Sequence, residues 1–343
     1  MNNRFHDIIT LIEKRGLTAL TTAAIFLLGI GFVAGWFSGA RWGFLENNPS
    51  KISELRLGGY DLINPLLECD QTRDAELTPF KHKISSYSDE NKKNGLVTQV
   101  SVYFREMNNG LMFSIDATDK FSPASLIKVP LLMAYLKIAE TDPRLLAQKI
   151  LCTNRSDLNA PQVIKPRQAI EYGKSYTVEE LLRYAIVYSD NNAYFLLFSR
   201  INPKQLQRTY TELGLEIPKV RNRDDYMSVT EYSAFFRILF NASYLNKDMS
   251  EKAMHYLAAV DFKEGLVAGV PAGITVAHKF GERTMGEHNE IKQLHDCGIV
   301  YYPKHPYLLC VMSRGASIEY LDDTIREISR ITFNEIDAQN HDH

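Results

Sequence analysis

From Phe121 to Leu132 the chain reads FSPASLIKVPLL, a serine, two apolar residues and a lysine within an otherwise apolar run. A buried ammonium is costly unless it is paired or gives up its proton, so Lys128 either snorkels to water or is held for chemistry. On a helix, residues three apart share a face, which brings the Lys128 amine within reach of the Ser125 hydroxyl. A serine beside a base is equipped for nucleophilic catalysis: the hydroxyl attacks a carbonyl and an acyl-enzyme forms. Lysine ordinarily titrates near ~10.4, but burial and a second cation both lower that value and would leave Lys128 a neutral base. The competing reading makes Ser125 a helix N-terminal residue and Lys128 a snorkelling side chain.

The elements around this pair follow from pattern. Residues 79–95 read as a helix stopping at Gly95, and LVTQVSVYFREM, Asn108-Asn109-Gly110 and LMFSID as a β-hairpin with an Asn-Gly turn. The Ser125 segment is apolar on nearly every side to Ile138, hence a buried helix. Thr177 and Glu180 form a capping box for a second helix, and a third begins at SDNNAYFLLF. More helix fills 203–258, then GITVAHKFG, DCGIVYY and PYLLCVMSR read as strands before a last helix in IEYLDDTIREISRITFNEI. Strands at both ends with helices between predict an α+β domain, its antiparallel sheet assembled from the two chain ends around an inserted helical region.

Two more motifs follow Ser125-Leu126-Ile127-Lys128 in order: Ser189-Asp190-Asn191 in the link between two helices, and Lys279-Phe280-Gly281 at the end of a strand. This succession resembles the penicillin-recognising serine enzymes, most closely the class A β-lactamase family, with its S-x-x-K, S-D-N and K-T-G motifs. The resemblance covers roughly 78 to 335 and implies a β-lactamase/transpeptidase-like fold with no cofactor. It also implies roles. Ser125 is the nucleophile and Lys128 its base, Ser189 relays a proton to the leaving nitrogen, and Asn191 holds a substrate amide. Lys279 supplies positive field near a substrate carboxylate, and Gly281 completes the third motif. The backbone N–H groups of Ser125 and Glu282 form the oxyanion site. Asp190 is well explained as a helix N-cap and serves structure.

Two departures stand out. Phe280 replaces the hydroxyl residue of K-T-G and cannot hydrogen-bond a carboxylate; it narrows or greases the site. The E-x-x-x-N loop, whose glutamate activates the deacylating water in that family, is missing from LGLEIPKVRNRDDYMSVTEYSAFF, where Asp224, Asp225 and Glu231 are the nearby acids. The expected substrate is therefore a β-lactam or a peptidoglycan stem peptide. The alternatives are a D-alanyl-D-alanine carboxypeptidase-like protein that deacylates slowly and a non-hydrolytic sensor.

Composition excludes other classes. Net charge is −2 from 39 basic and 41 acidic residues with no basic block, so no nucleic-acid groove is expected. Cys69, Cys152, Cys297 and Cys310 lack zinc-site spacing, and His278, His288 and His295 fit no helical ligand pair. Cys297 and Cys310 flank the turn Pro303 to Pro306 and either face each other across a hairpin or stay free.

No charged residue occurs from Gly16 to Ala40, a stretch long enough to cross a bilayer as a helix. The expected organisation is a cytoplasmic N-terminus (1–16), a membrane anchor (17–40), a juxtamembrane spacer with a few packing residues (41–77), the hydrolase domain (78–335) and a polar tail (336–343). Arg4, Lys14 and Arg15 put the N-terminus inside and the domain outside the cell membrane. A cleaved signal peptide ending at Ser38-Gly39-Ala40 is the alternative, though the apolar stretch exceeds a usual h-region. Gly31, Gly35 and Gly39 repeat G-x-x-x-G and offer a face for a weak homodimer. The full-length protein is expected to sediment with membranes and to lose its C-terminal domain when protease is added to intact cells; protection of that domain would overturn the orientation.

Overall fold

The computed structural model describes residues 54–56, 60–64, 66–69, 77–213 and 225–340. A small antiparallel pair, β1 (Glu54–Arg56) and β2 (Leu66–Cys69), lies within the stretch expected to be spacer. Between them Leu62 and Ile63 are buried, and Asn64 N–H donates to Phe240 O at 2.8 Å. Tyr60 and Leu77 of the same stretch also pack against the core. Residues 17–40, including Gly31, Gly35 and Gly39, lie outside the described residues, and among the described ones no helix is long and apolar enough to cross a membrane.

Helix α1 (Thr78–Lys93) starts with Pro79 in its first turn, where the missing N–H is harmless, and ends before Gly95, whose φ of 71° suits a left-handed cap. Its buried face is Phe80, Ile84, Ser88 and Asn91, one stripe at helical spacing. Strands β3 (Gln99–Glu106) and β4 (Met112–Ile115) form the expected hairpin. The chain then leaves the sheet, passing through a 3-10 turn (Ala124–Ile127) into α2 (Lys128–Ala139). Strands β5 (Lys149–Leu151) and β6 (Ser175–Thr177) pair outside the main sheet.

Helices α3 (Val178–Val187), α4 (Asn191–Phe198), α5 (Pro203–Glu212), α6 (Val229–Phe240), α7 (Lys247–Ala258) and the single turn α8 (Gly265–Ala268) complete the inserted region. The Thr177 capping box is present in both halves, with Glu180 N–H on Thr177 Oγ1 at 3.1 Å and Thr177 N–H on Glu180 Oε2 at 2.7 Å. The chain returns as β7 (Val276–Met285), β8 (Ile291–Val300) and β9 (Tyr307–Gly315), then closes with α9 (Ile318–Asn340).

The five-stranded sheet runs β4-β3-β9-β8-β7, antiparallel throughout, so strands from the two ends of the domain meet where Val102 faces Val311. Cys297 and Cys310, partners in the β8–β9 register, are disulfide-bonded, while Cys152 is free and buried. Helices α1 and α9 pack together over the sheet, and α6 packs against β3, β8 and β9. Where α1 meets the hairpin, the Phe80 ring stands edge-on to Phe104 at 5.0 Å and to Phe113 at 4.9 Å. Phe80 is 1% exposed, so Phe80→Ala leaves a ring-sized hole and is expected to destabilise the domain by about 3–5 kcal/mol in denaturant unfolding. A loss under about 1 kcal/mol would show that α1 does not close the core.

Candidate active site

The Ser125 segment differs from the expected α-helix in one useful respect. Ser125 lies in the 3-10 turn and Lys128 is the first residue of α2. With three residues per turn, positions i and i+3 are nearly eclipsed, which directs the lysine at the serine. Lys128 Nζ lies 3.0 Å from Ser125 Oγ. Ala124, just before the nucleophile, has φ 48°, and Ser189 has φ 55°. Left-handed backbone at a non-glycine residue costs about 1–3 kcal/mol and persists where the surroundings impose it.

Those surroundings are visible on the nucleophile's own turn. Phe121 N–H donates to Met227 O at 2.9 Å, and Met227 N–H returns to Phe121 O at 3.1 Å. Ser122 N–H donates to Gln293 Oε1 at 3.1 Å, and Arg283 donates to Ser122 Oγ. Ser313 N–H donates to His295 Nδ1 at 3.2 Å, so Nε2 carries the ring proton and donates to Ser122 O at 3.0 Å. Burial pushes His295 down to about 4, so this ring stays a neutral strut at physiological pH. Tyr232 O–H donates to Leu126 O at 3.2 Å.

All three motifs converge. Lys128 Nζ reaches Ser189 O at 2.7 Å, Asn191 Oδ1 at 2.8 Å and Ser189 Oγ at 3.2 Å. Lys279 Nζ reaches the same Ser189 Oγ at 3.0 Å and Phe280 O at 2.8 Å. Both lysines are buried. Burial pushes Lys128 down to about 7 against the pull of Asp190 and Glu282; burial first and then the Lys128 charge push Lys279 down. A neutral amine has two N–H bonds and one lone pair. On Lys128 the two N–H bonds match Ser189 O and Asn191 Oδ1, leaving the lone pair for the Ser125 proton.

Asp190 is the N-cap of α4, its Oδ1 accepting from Asn192 N–H at 2.8 Å. It also accepts from Asn159 Nδ2 at 2.9 Å and from Ile170 N–H at 2.7 Å, which fixes the turn that presents Ser189 and Asn191. Asn191 is turned toward Lys128, and its Nδ2 donates to Leu158 O at 3.1 Å, leaving a second N–H for a substrate carbonyl.

On the opposite wall, a Cβ added to Gly281 would lie 3.0 Å from Pro123 O and 3.1 Å from both Ser125 N and Leu126 N. A side chain there would require the backbone of the Ser125 turn to give by a few tenths of an ångström, so the bare glycine suits this close approach of β7. Glu282 follows directly, and burial pushes its carboxyl up. Phe280 is buried, stacked on Phe262 with centroids 4.2 Å apart, and its own ring centre is 4.1 Å from Lys279 Nζ. The greasing expected of Phe280 thus falls on the Lys279 amine.

Of the acids considered as deacylating bases, Asp225 is occupied by Arg314 and by Gln293 Nε2 at 2.9 Å. Glu231 completes a capping box with Ser228 and receives Lys120 Nζ at 2.6 Å. Burial pushes Glu231 up, but Lys120 and the Ser228 donors outweigh it and hold the carboxyl below its usual range. Asp224 lies outside the described residues. His278 Nδ1 faces Asp296 Oδ1 at 2.8 Å, both buried, and His288 is exposed in the β7–β8 hairpin.

Sequence reasoning missed the Asn159 clamp, the His295 strut and the contact of the Glu282 carboxylate with Val163 N–H at 2.7 Å. Each joins residues far apart in the chain and leaves no local pattern.

The model of the Beta-lactamase enzyme family matches residues 79–336. Among solved structures, a PBP-A variant in an acyl-enzyme complex with penicillin G is 21% identical, covering 76% of this chain and 97% of that one, with a TM-score of 0.64. A β-lactamase from Chitinophaga pinensis is 20% identical, covering 76% and 100%, with a TM-score of 0.65. A class A β-lactamase from Mycobacterium abscessus is 22% identical, covering 75% and 99%, with a TM-score of 0.60. At these identities the likeness is one of fold. No curated protein matches the chain.

The reactivity of Ser125 should follow the protonation of its lysine. Below pH about 7 the Lys128 ammonium has no lone pair, so the acylation rate should fall about tenfold per pH unit and level off above it. Lys128→Arg, permanently charged, should lose activity across the range. Labelling rates by mass spectrometry from pH 5 to 9 test this; a flat profile would remove Lys128 from the role of base.

Proposed function

The chain belongs to the beta-lactamase enzyme family, and from that premise we propose that its domain is a membrane-tethered serine hydrolase that opens a β-lactam or a peptidoglycan-type amide through an acyl-enzyme on Ser125. The observation that carries this reading is the 3.0 Å approach of the Lys128 amine to Ser125 Oγ, with the amine brought near neutrality by burial. Lys128 takes the Ser125 proton as Oγ attacks the carbonyl carbon. The resulting oxyanion lies between the N–H groups of Ser125 and Glu282, an arrangement supported by the close approach of β7 at Gly281. As the carbon–nitrogen bond breaks, Ser189 gives its hydroxyl proton to the leaving nitrogen and takes in its place the proton that Lys128 received from Ser125, which returns Lys128 to the neutral amine. The tether is residues 17–40, and the domain works on the outer side of the membrane.

A second reading within the same chemistry is favoured by one observation. Asp225 and Glu231 are both engaged in ion pairs and caps, so neither is a free base for the deacylating water. A general base contributes about 10²–10⁴-fold, so the acyl-enzyme should persist, as in a penicillin-binding carboxypeptidase. With a chromogenic cephalosporin the expected course is a burst of about one equivalent, a slow steady state and an intact-mass adduct absent from Ser125→Ala. Rapid multiple turnover without an adduct would overturn slow deacylation, and labelling of Ser125→Ala at full stoichiometry would place the nucleophile elsewhere.

A further inference from the structure

The segment between β5 and β6 has a fixed body and a lightly held tip. Its body is bolted to the S-D-N turn. Asn191 N–H donates to Asn159 Oδ1 at 2.7 Å, Leu158 N–H to Asn192 Oδ1 at 2.9 Å, and Asn192 Nδ2 to Asp157 Oδ1 at 3.0 Å. Asn159 itself is buried. The tip then crosses from one wall of the site to the other. Gln162 Nε2 donates to Ser189 O at 3.2 Å, the carbonyl that also receives Lys128. The next residue, Val163, donates its N–H to Glu282 Oε1 on β7 at 2.7 Å, with Ile164 N–H farther out at 3.4 Å. Glu282 adjoins Gly281, the glycine pressed against Ser125 N. The strap therefore bridges the Ser189 turn and β7, the two elements that flank the partly exposed Ser125.

Ile164 packs against the core, but little other apolar surface holds that tip down. Val163 is 50% exposed, and Pro161, Lys165, Arg167 and Gln168 are exposed as well. Gln162 Oε1 is buried without a partner among the described residues, so the closed position leaves one acceptor unsatisfied. A segment with few buried apolar contacts, held by a handful of polar ones, opens locally without disturbing the core.

Resting on the reading of Ser125 as nucleophile, we infer that the Glu282 side chain is a latch: it ties residues 160–166 across the cleft and determines which acyl donors reach Ser125. Small donors pass beneath the strap, whereas bulky ones must first displace Val163 N–H from the carboxylate. Glu282 thus has two separable parts, a backbone N–H directed at the oxyanion and a side chain that gates the entrance.

Access can be read without any acyl transfer. In Ser125→Cys protein, with Glu282 intact or changed to Ala or Gln, position 125 is labelled with methyl methanethiosulfonate or with fluorescein maleimide and quantified by peptide mapping, which separates it from Cys69 and Cys152. Glu282→Ala should raise the fluorescein maleimide rate about tenfold and the small reagent's rate less than about twofold, while Glu282→Gln, which keeps an acceptor oxygen, stays near the parent. Hydrogen exchange of the 160–166 peptides should be slow in the parent and fast in Glu282→Ala. Equal effects on both reagents, no effect on either, or exchange in the parent as fast as in the variant would each overturn the latch. An inert Ser125 in the unmodified chain would instead sink the hydrolase reading and leave the labelling result standing.

Discussion

Two amines buried side by side on one hydroxyl are the constraint around which this domain is arranged. Lys128 and Lys279 both contact Ser189 Oγ in a place closed to water, where two ammonium charges cannot both persist. Relieving that conflict by loss of a proton makes a base; relieving it by letting water in would destroy the site. The apolar length of α2, the left-handed turn at Ser189, the buried Asp190 that fixes it and the missing side chain at Gly281 all hold the amines together and dry. The left-handed turn at Ser189 is locally unfavourable, and is explained by the pair it serves.

The parts of this arrangement that were legible in sequence are those written in short spacings. Serine and lysine three apart, the Thr177–Glu180 cap, the Asn-Gly hairpin and the apolar C-terminal strands all carry their physics within a turn or two of chain. The α+β architecture followed from where those strands fall. What stayed hidden joins distant segments: Asn159 on the S-D-N turn, His295 under Ser122, the Glu282 side chain on Val163. The 3-10 form of the Ser125 turn was also missed, because an apolar run with i,i+3 spacing fits either helix type. Cys297 and Cys310 were placed opposite one another only once the β8–β9 register was known.

The departures at Phe280 and in the region of Asp225 share a theme. Side chains that border the reactive centre are committed to structure: Phe280 stacks on Phe262, Asp225 neutralises Arg314, and Glu231 caps α6 while pairing Lys120. A carboxylate so engaged is held in place, and that of Glu231 is held acidic as well, the opposite of what a proton shuttle requires. Under the proposed acyl-enzyme chemistry, Asp225 and Glu231 are thus poorly placed to deliver water to an acylated Ser125.

The sheet has a consequence for how the molecule comes into being. β3 belongs to the first part of the domain and its partner β9 to the last, about two hundred residues later, so the hairpin β3–β4 has an open edge until the end of the chain arrives. Made from its N-terminus, the chain presents that edge, with Val100 and Val102 on it, throughout synthesis of the helical insertion. The reactive centre, which needs β7 against the Ser125 turn, is among the last things to form. In crowded surroundings the chain's greatest exposure to strand-for-strand mispairing therefore falls before the Ser125 site is assembled.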